Sequence, residues 1–217
     1  MTASLTTDVP QLRLEATHQG RTLTIETVTT SPGEARQRNE VALLRREFGF
    51  PLPAPDWESD DENGLVLLCR TDAAAVGTVR VLKHHRGVDG GCPYLTAELR
   101  AVLPSDPAGF ALVERLVIRP EARSLELVAL LMYAAYTWPS AMWDVAEFAA
   151  ITSPKLVRLF GWLGMRPLSE PMVLPGSDGL GLLVGGRLDE AATRTEALFT
   201  TGGWRLSADT EVSAALA

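Results

Sequence analysis

Along the chain, apolar positions fall first into two short runs, residues 12–16 and 22–29, and both predict strands. The second is rich in Thr, Ile and Val, which favour a pleated surface. Ser31-Pro32-Gly33-Glu34 then has the features of a helix start: a capping residue, Pro at the first helical position and an early acid. Val41, Leu43 and Leu44 lie on that helix, which is expected to end near Glu47. Residues 51–63 hold three prolines (Pro51, Pro53, Pro55) and five acids (Asp56, Glu58, Asp60, Asp61, Glu62), the pattern of a solvated loop. Strands over 64–69 and 75–82, parted by a turn at Thr71-Asp72, predict an antiparallel hairpin.

A short helix is expected over 96–103, closed by Pro104. Residues 110–118 form an apolar run broken by Glu114 and Arg115, which suits a central strand covered on both faces. Residues 125–138 are apolar enough for a buried helix, with Leu127, Leu130, Leu131 and Ala134 in a stripe at helical spacing. A strand over 144–151 leads into Ser153-Pro154, a cap and first-turn proline, then a helix over 155–163 ending at Gly164. Further strands are expected over 171–174 and 180–184. The closing strand–helix–strand order implies a parallel pair joined by a right-handed crossover. The predicted fold class is α/β (α+β), a mixed, mostly antiparallel sheet with helices on both faces. Residues 1–187 are expected to form one domain, and 188–217 a polar tail whose Leu198, Phe199 and Trp204 dock it as a helix or cap.

Composition narrows the function classes. The chain has 217 residues, 46% hydrophobic and 22% charged, which is globular and long enough for a sizeable core. A net charge of -7 and 6% aromatic content argue against a nucleic-acid partner, which needs basic surface for phosphates and rings for bases. Met1 to Pro10 lacks the positive lead and apolar stretch of a secretory signal, and no run approaches a membrane span. Cys69 and Cys92 match no metal or redox spacing, so no metal is expected and a reducing cytoplasm is the natural setting.

The candidate chemistry lies where the 110–118 strand runs through Val117-Ile118-Arg119-Pro120-Glu121-Ala122-Arg123-Ser124 into the long helix. Amides at a helix start attract anions, and Arg119 and Arg123 would reinforce them; as surface-loop decoration both need no function. This segment resembles the cofactor-binding region of the GNAT acyltransferases, where an Arg or Gln opens a pattern of two residues, Gly, one residue, Gly. Arg123 matches the opening Arg, while Glu126 and Val128 occupy the glycine positions. Glycines there admit a pyrophosphate closely, so the departure favours pantetheine carried on a protein over coenzyme A.

Gly77-Thr78-Val79-Arg80 and Val113-Glu114-Arg115-Leu116-Val117-Ile118 are similar to the branch containing acyl-homoserine-lactone synthases and long-chain N-acyl amino acid synthases. Arg80 and Arg115 carry over; Glu114 stands where that pattern has Ser, and Leu112 at its acidic position. Residues 151–165 resemble the late helix and Gly-containing turn that close the fold. The resemblance implies transfer of a medium or long acyl chain from an acyl-phosphopantetheine donor, acyl carrier protein or acyl-coenzyme A, to a small-molecule or peptide amine. Glu114 would be the base, and Arg80 and Arg115 would shape the acceptor pocket. Pantetheine would lie in a splay between the strands at 110–118 and 144–151, near Val117, Ile118, Arg119, Arg123, Ser124, Thr152 and Ser153.

Each of these residues also has a plainer role. Glu114 pairs equally well with Arg80 across neighbouring strands, Glu147 is a second buried-strand acid, and Ser153 is accounted for by capping. Strict alternation would put Arg115 on the face opposite Glu114. Lys83-His84-His85-Arg86 reads as a turn, or as a basic landing point for an acidic carrier. The helical stripe at 127–134 reads as core or as the lining of an acyl tunnel. An acetyl-coenzyme A acetyltransferase and a non-catalytic binding domain on the same fold are the competing functions.

Overall fold

The structure, a computed structural model, describes residues 11–47, 59–72, 74–85, 95–175 and 179–207. Strands β1 (Arg13–His18) and β2 (Arg21–Val28) are joined at Gln19-Gly20, both with positive φ (48° and 77°), the twist-matched conformation of a tight hairpin. A 3-10 turn over Pro32–Glu34 feeds helix α1 (Ala35–Glu47), and another over Ser59–Glu62 precedes β3 (Gly64–Thr71) and β4 (Ala74–His84). Helix α2 (Ala97–Ala101) is capped by Thr96, whose hydroxyl accepts from the Leu99 amide. Then come β5 (Phe110–Ile118), α3 (Leu125–Trp143), β6 (Glu147–Thr152), α4 (Val157–Trp162) and the short β7 (Arg166–Pro167) and β8 (Met172–Val173). The described chain closes with β9 (Leu180–Arg187), α5 (Leu188–Thr201) and β10 (Arg205–Leu206).

These strands form one sheet in the order β10-β1-β2-β3-β4-β5-β6-β9-β7, with β8 on β9. Every pairing is antiparallel except β5 with β6. Side-chain alternation sorts two layers. Leu65, Leu67, Val79, Val81, Ala111 and Val113 face the α3 and α5 side, while Val66, Leu68 and Val117 pack with Val41 and Leu44 of α1. On that second face Leu82, Phe110, Leu112 and Ala149 meet Leu95, Leu99 and Leu103 around α2. Helices therefore cover both faces, and the mixed, mostly antiparallel architecture is the one expected. The stripe of Leu127, Leu130, Leu131 and Ala134 lies in the main core.

Several expectations are corrected. Helix α3 continues through Pro139 to Trp143 and stops at Asp144, a left-handed cap at φ 52°, so β6 begins at Glu147 rather than 144. Pro139 is itself buried and stays inside the helix. Lys83 and His84 are the end of β4 rather than a turn, and His84 is buried against Phe110 at a ring separation of 5.2 Å. Burial lowers the His84 pKa, with Arg100 and His85 adding to the effect; Arg86 lies outside the described residues. Asp61, expected on a solvated loop, is only 3% exposed. The prolines and the acids Asp56 and Glu58 of that segment, like Cys92, lie outside the described residues, while Cys69 is buried and its pKa is pushed up to about 12.

Beyond Arg187 the chain turns under the sheet. Helix α5 packs along α3, with Phe199 edge-on to Tyr133 at 5.4 Å. Gly164, at φ 88°, lets α5 approach closely: a Cβ there would lie 2.7 Å from the Ala191 Cα. The chain then crosses to the far edge, where β10 pairs with β1 and Trp204 meets the His18 ring at 5.4 Å. Among the described residues no helix is long and apolar enough to cross a membrane.

Candidate active site

The site begins with one extra residue. Between β4 and β5 the register runs Arg80 to Glu114 and then Thr78 to Val117, so β5 holds three steps where β4 holds two. Arg115 absorbs the difference with φ 56°, a bulge in which a non-glycine residue takes the left-handed conformation. The alternation expected across Glu114 and Arg115 therefore fails. Leu112 packs in the α2-side layer and Val117 in the α1-side layer of that face, while Leu116 and Ile118 turn to the α3 layer.

A bulge bends its strand, and the bend falls where β5 leaves β6. Parallel pairing covers Ala111, Leu112 and Val113 against Phe148, Ala149 and Ala150, and goes no further. Beyond it β5 stays with β4 as far as Ile118, and β6 stays with β9 as far as Thr152. The main-chain edges of the two strands are thus unpaired with each other from Glu114 and Ile151 onward, which opens a slot between them. Glu114 and Arg115 stand at its apex.

Glu114 ends a chain of buried charges. Arg80 Nε and Nη2 both donate to Glu114 Oε1, at 3.2 and 3.0 Å. Arg80 Nη1 donates to Asp61 Oδ1 at 3.1 Å, and Asp60 lies 3.7 Å from Nη2. Asp61 is gripped from its other side by Arg45, with Nη1 on Oδ2 at 2.7 Å and Nη2 on Oδ1 at 3.0 Å. The Arg45 and Asp61 side chains are fully buried, Arg80 is 2% exposed and Glu114 17%. Burial raises the Glu114 pKa, while the Arg80 charge and hydrogen bonds and the Arg115 charge pull it partway back; Asp60 adds to the rise.

After β5, Ser124 caps α3 by accepting from the Leu127 amide at 3.1 Å. Arg123 Nε donates to the Ile118 carbonyl at 3.1 Å, which ties the 118–123 turn together. Arg119 reaches Glu47 at 3.4 Å and Glu121 at 3.7 Å. A cleft of about 670 Å³ adjoins these residues, shared with Arg21, Asp72 and Trp204. On the β6 side Thr152 is buried and the Ser153 hydroxyl accepts from the Lys155 amide at 3.3 Å; an apolar hollow of about 610 Å³ lies there against Ile151, Leu174 and Leu180. Glu147, at the start of β6 opposite Arg187, stands at the far end of the strand from the slot.

Of the residues singled out in the sequence, Arg80, Glu114 and Arg115 meet at the bulge, and Val117 and Ile118 are buried in the α1 and α3 layers beyond it. Arg119, Arg123 and Ser124 line the larger cleft and Thr152 and Ser153 the apolar hollow, two cavities that share no lining residue. Sequence reading missed Arg45, Asp60 and Asp61. A signal for Arg45 did exist: it sits three and four residues after Ala42 and Val41 on the buried stripe of α1, and an arginine on an apolar face needs a buried acid.

No family model matches the chain, and no curated protein matches it in sequence. Solved structures match in fold. A CoA-dependent acyl-homoserine lactone synthase, BjaI with MTA, superposes with a TM-score of 0.58 at 15% identity, over 88% of this chain and 90% of its own. FeeM, an N-acyl amino acid synthase from uncultured soil microbes, gives 0.58 at 13% identity, over 82% and 97%. ElaA of Escherichia coli gives 0.55 at 14% identity, over 75% and 98%. The chain therefore has the GNAT-like fold, close to that of the acyl-homoserine-lactone synthase branch.

Proposed function

We propose that the protein is an N-acyltransferase that moves a medium or long acyl chain from a phosphopantetheine thioester to an amine. The observation that carries this reading is the slot between β5 and β6, with Glu114 at its apex. A thioester is already activated, so the protein must align an amine, remove its proton and leave the carbonyl oxygen with donors. In the proposed reaction the amine nitrogen bonds the thioester carbon and its proton passes to Glu114 directly or through water; the C–S bond breaks to release the pantetheine thiolate, which takes that proton back from Glu114 or from water to leave as the thiol. Among the described residues no donor bonds Glu114 Oε2, which leaves that oxygen to take the proton. Arg115 is the residue proposed to hold an acceptor carboxylate, while Arg80 shapes the pocket from within its ion-pair network.

The contacts of three residues favour a carrier protein over coenzyme A. Arg123 is spent on the Ile118 carbonyl, Arg119 faces Glu47 and Glu121, and the Ser124 hydroxyl already occupies the Leu127 amide. A diphosphate would compete with these, whereas a pantetheine arm asks only for the strand edges. Such a donor fits a cytoplasmic setting.

The test is intact-mass analysis of carrier proteins loaded with medium and long acyl chains, incubated with the protein and a pool of amino acids, small amines and peptides. Amine-dependent deacylation that Glu114→Ala abolishes is the expected result. Turnover with acetyl-coenzyme A alone would replace the reading with a small-molecule acetyltransferase. Silence from all donors, in folded protein, would favour a binding domain.

A further inference from the structure

We propose that Asp61 is a positioning residue for Glu114: anchored by Arg45, it holds the Arg80 guanidinium so that Arg80 meets only one oxygen of Glu114. This rests on the proposed role of Glu114 as proton acceptor. A guanidinium and a carboxylate left to themselves settle into a fork of two parallel bonds, one to each oxygen. Arg45 and Asp61 make that fork, at 2.7 and 3.0 Å. Arg80 and Glu114 do not: Nε and Nη2 converge on Oε1, while Asp61 holds Nη1 at 3.1 Å and so resists the shift of the guanidinium that would carry one of them onto Oε2.

The arrangement has a chemical consequence. A carboxylate gripped through both oxygens by arginine is a weaker base, with one lone pair of each oxygen already taken. Dividing Arg80 among Asp60, Asp61 and Glu114 keeps Glu114 oriented yet leaves Oε2 available. The charges facing Glu114 are Arg80 from β4, Arg115 from its own strand and Asp60 from the 3-10 turn; Arg45 of α1 acts only through Asp61. Asp61 is the one member that touches both arginines, so it sets how much of Arg80 reaches Glu114.

The experiment titrates the Glu114 carboxyl by carbon NMR in protein labelled at glutamate side chains, with Glu114→Gln assigning the signal. Asp61→Asn leaves two buried arginines short of an acid and can fail to fold, so Arg45→Met/Asp61→Asn, which removes one charge of each sign, is measured beside it. The expected result is a Glu114 midpoint about one pH unit lower in each folded variant. The acid limb of kcat/KM would move down with it, and the plateau would fall several-fold. A Glu114 midpoint unchanged in the folded double variant would overturn the proposal, as would a double variant that cannot fold, since the pair would then be structural. The two readings fail separately. A shifted midpoint in a protein that transfers no acyl group retains the positioning and sinks the function, and an active enzyme whose midpoint ignores Asp61 does the reverse.

Discussion

Arg80 donates two hydrogen bonds to a single oxygen of Glu114 across the β4–β5 pair, directly beside the bulge at Arg115. The ion pair that was the plain reading of these residues is present, and it engages Oε1 alone, so it is compatible with the role proposed for Glu114. Glu114 is raised by burial but held ionisable by Arg80, and both effects act on one carboxyl.

The first prediction concerns pH. If Glu114 takes the amine proton, kcat/KM rises as it deprotonates, with a midpoint above the ordinary 4.5. Glu114→Gln removes that limb and lowers kcat/KM by roughly 10²–10⁴. Stability follows the opposite sense. A folded pKa raised above the unfolded one means the native state binds the proton more tightly, so this group's contribution is full below the ordinary value and is lost as pH rises through the raised value. Denaturant titrations across that window are expected to flatten in Glu114→Gln; an unchanged slope would remove Glu114 as its source.

A second prediction follows from Arg115. Left-handed φ costs a non-glycine residue about 1–2 kcal/mol, and a β-branched residue more. Arg115→Gly is expected to match or exceed wild-type stability, and Arg115→Val to lose at least roughly 1 kcal/mol. Both would lose acyl transfer to carboxylate-bearing amines while keeping it for uncharged ones. Equal denaturation midpoints for the Gly and Val variants would argue against a strained bulge.

Much of this architecture was legible because periodicity and punctuation agree. The strands β1 and β2, the hairpin at β3–β4, the cap Ser153 and the apolar stripe of α3 all follow from local rules. The bulge at Arg115 was not legible, since no glycine marks it and alternation fails only once β4 fixes the register. Asp61 was hidden for a related reason: a Pro-rich, acidic segment reads as solvated until Arg45 and Arg80 converge on it from two other elements. Pro139 misled in the other direction, since proline usually stops a helix and here is carried inside a buried one.

A third prediction concerns α5. Phe199 is 1% exposed and packs edge-on against Tyr133, so Phe199→Ala removes a buried ring from the α3–α5 contact. The loss is expected to be about 3–5 kcal/mol, which lowers Tm by roughly 10 °C for a chain this long. Removing residues 188–217 would uncover the apolar side of α3, and the truncated protein is expected to aggregate. A soluble truncation with wild-type Tm would mean that α5 is dispensable to the core.

The last prediction bears on the donor. Residues 148–169 contain no acid on a chain of net charge -7, and they follow the slot directly. Lys155, Leu156, Arg158 and Trp162 are exposed there, with the Arg158 guanidinium 5.5 Å from the Trp162 ring centroid. An acidic carrier delivering its arm into the slot would meet this basic and apolar surface, and its approach would be steered by charge. Lys155→Glu/Arg158→Glu is therefore expected to lower kcat/KM for acyl carrier protein by roughly tenfold or more, with a weakened salt dependence. The same acyl group on free pantetheine should be transferred at an unchanged rate, because neither side chain belongs to the catalytic network. An equal loss with both donors would assign the effect to the slot itself, and no loss with either would place the carrier on another face.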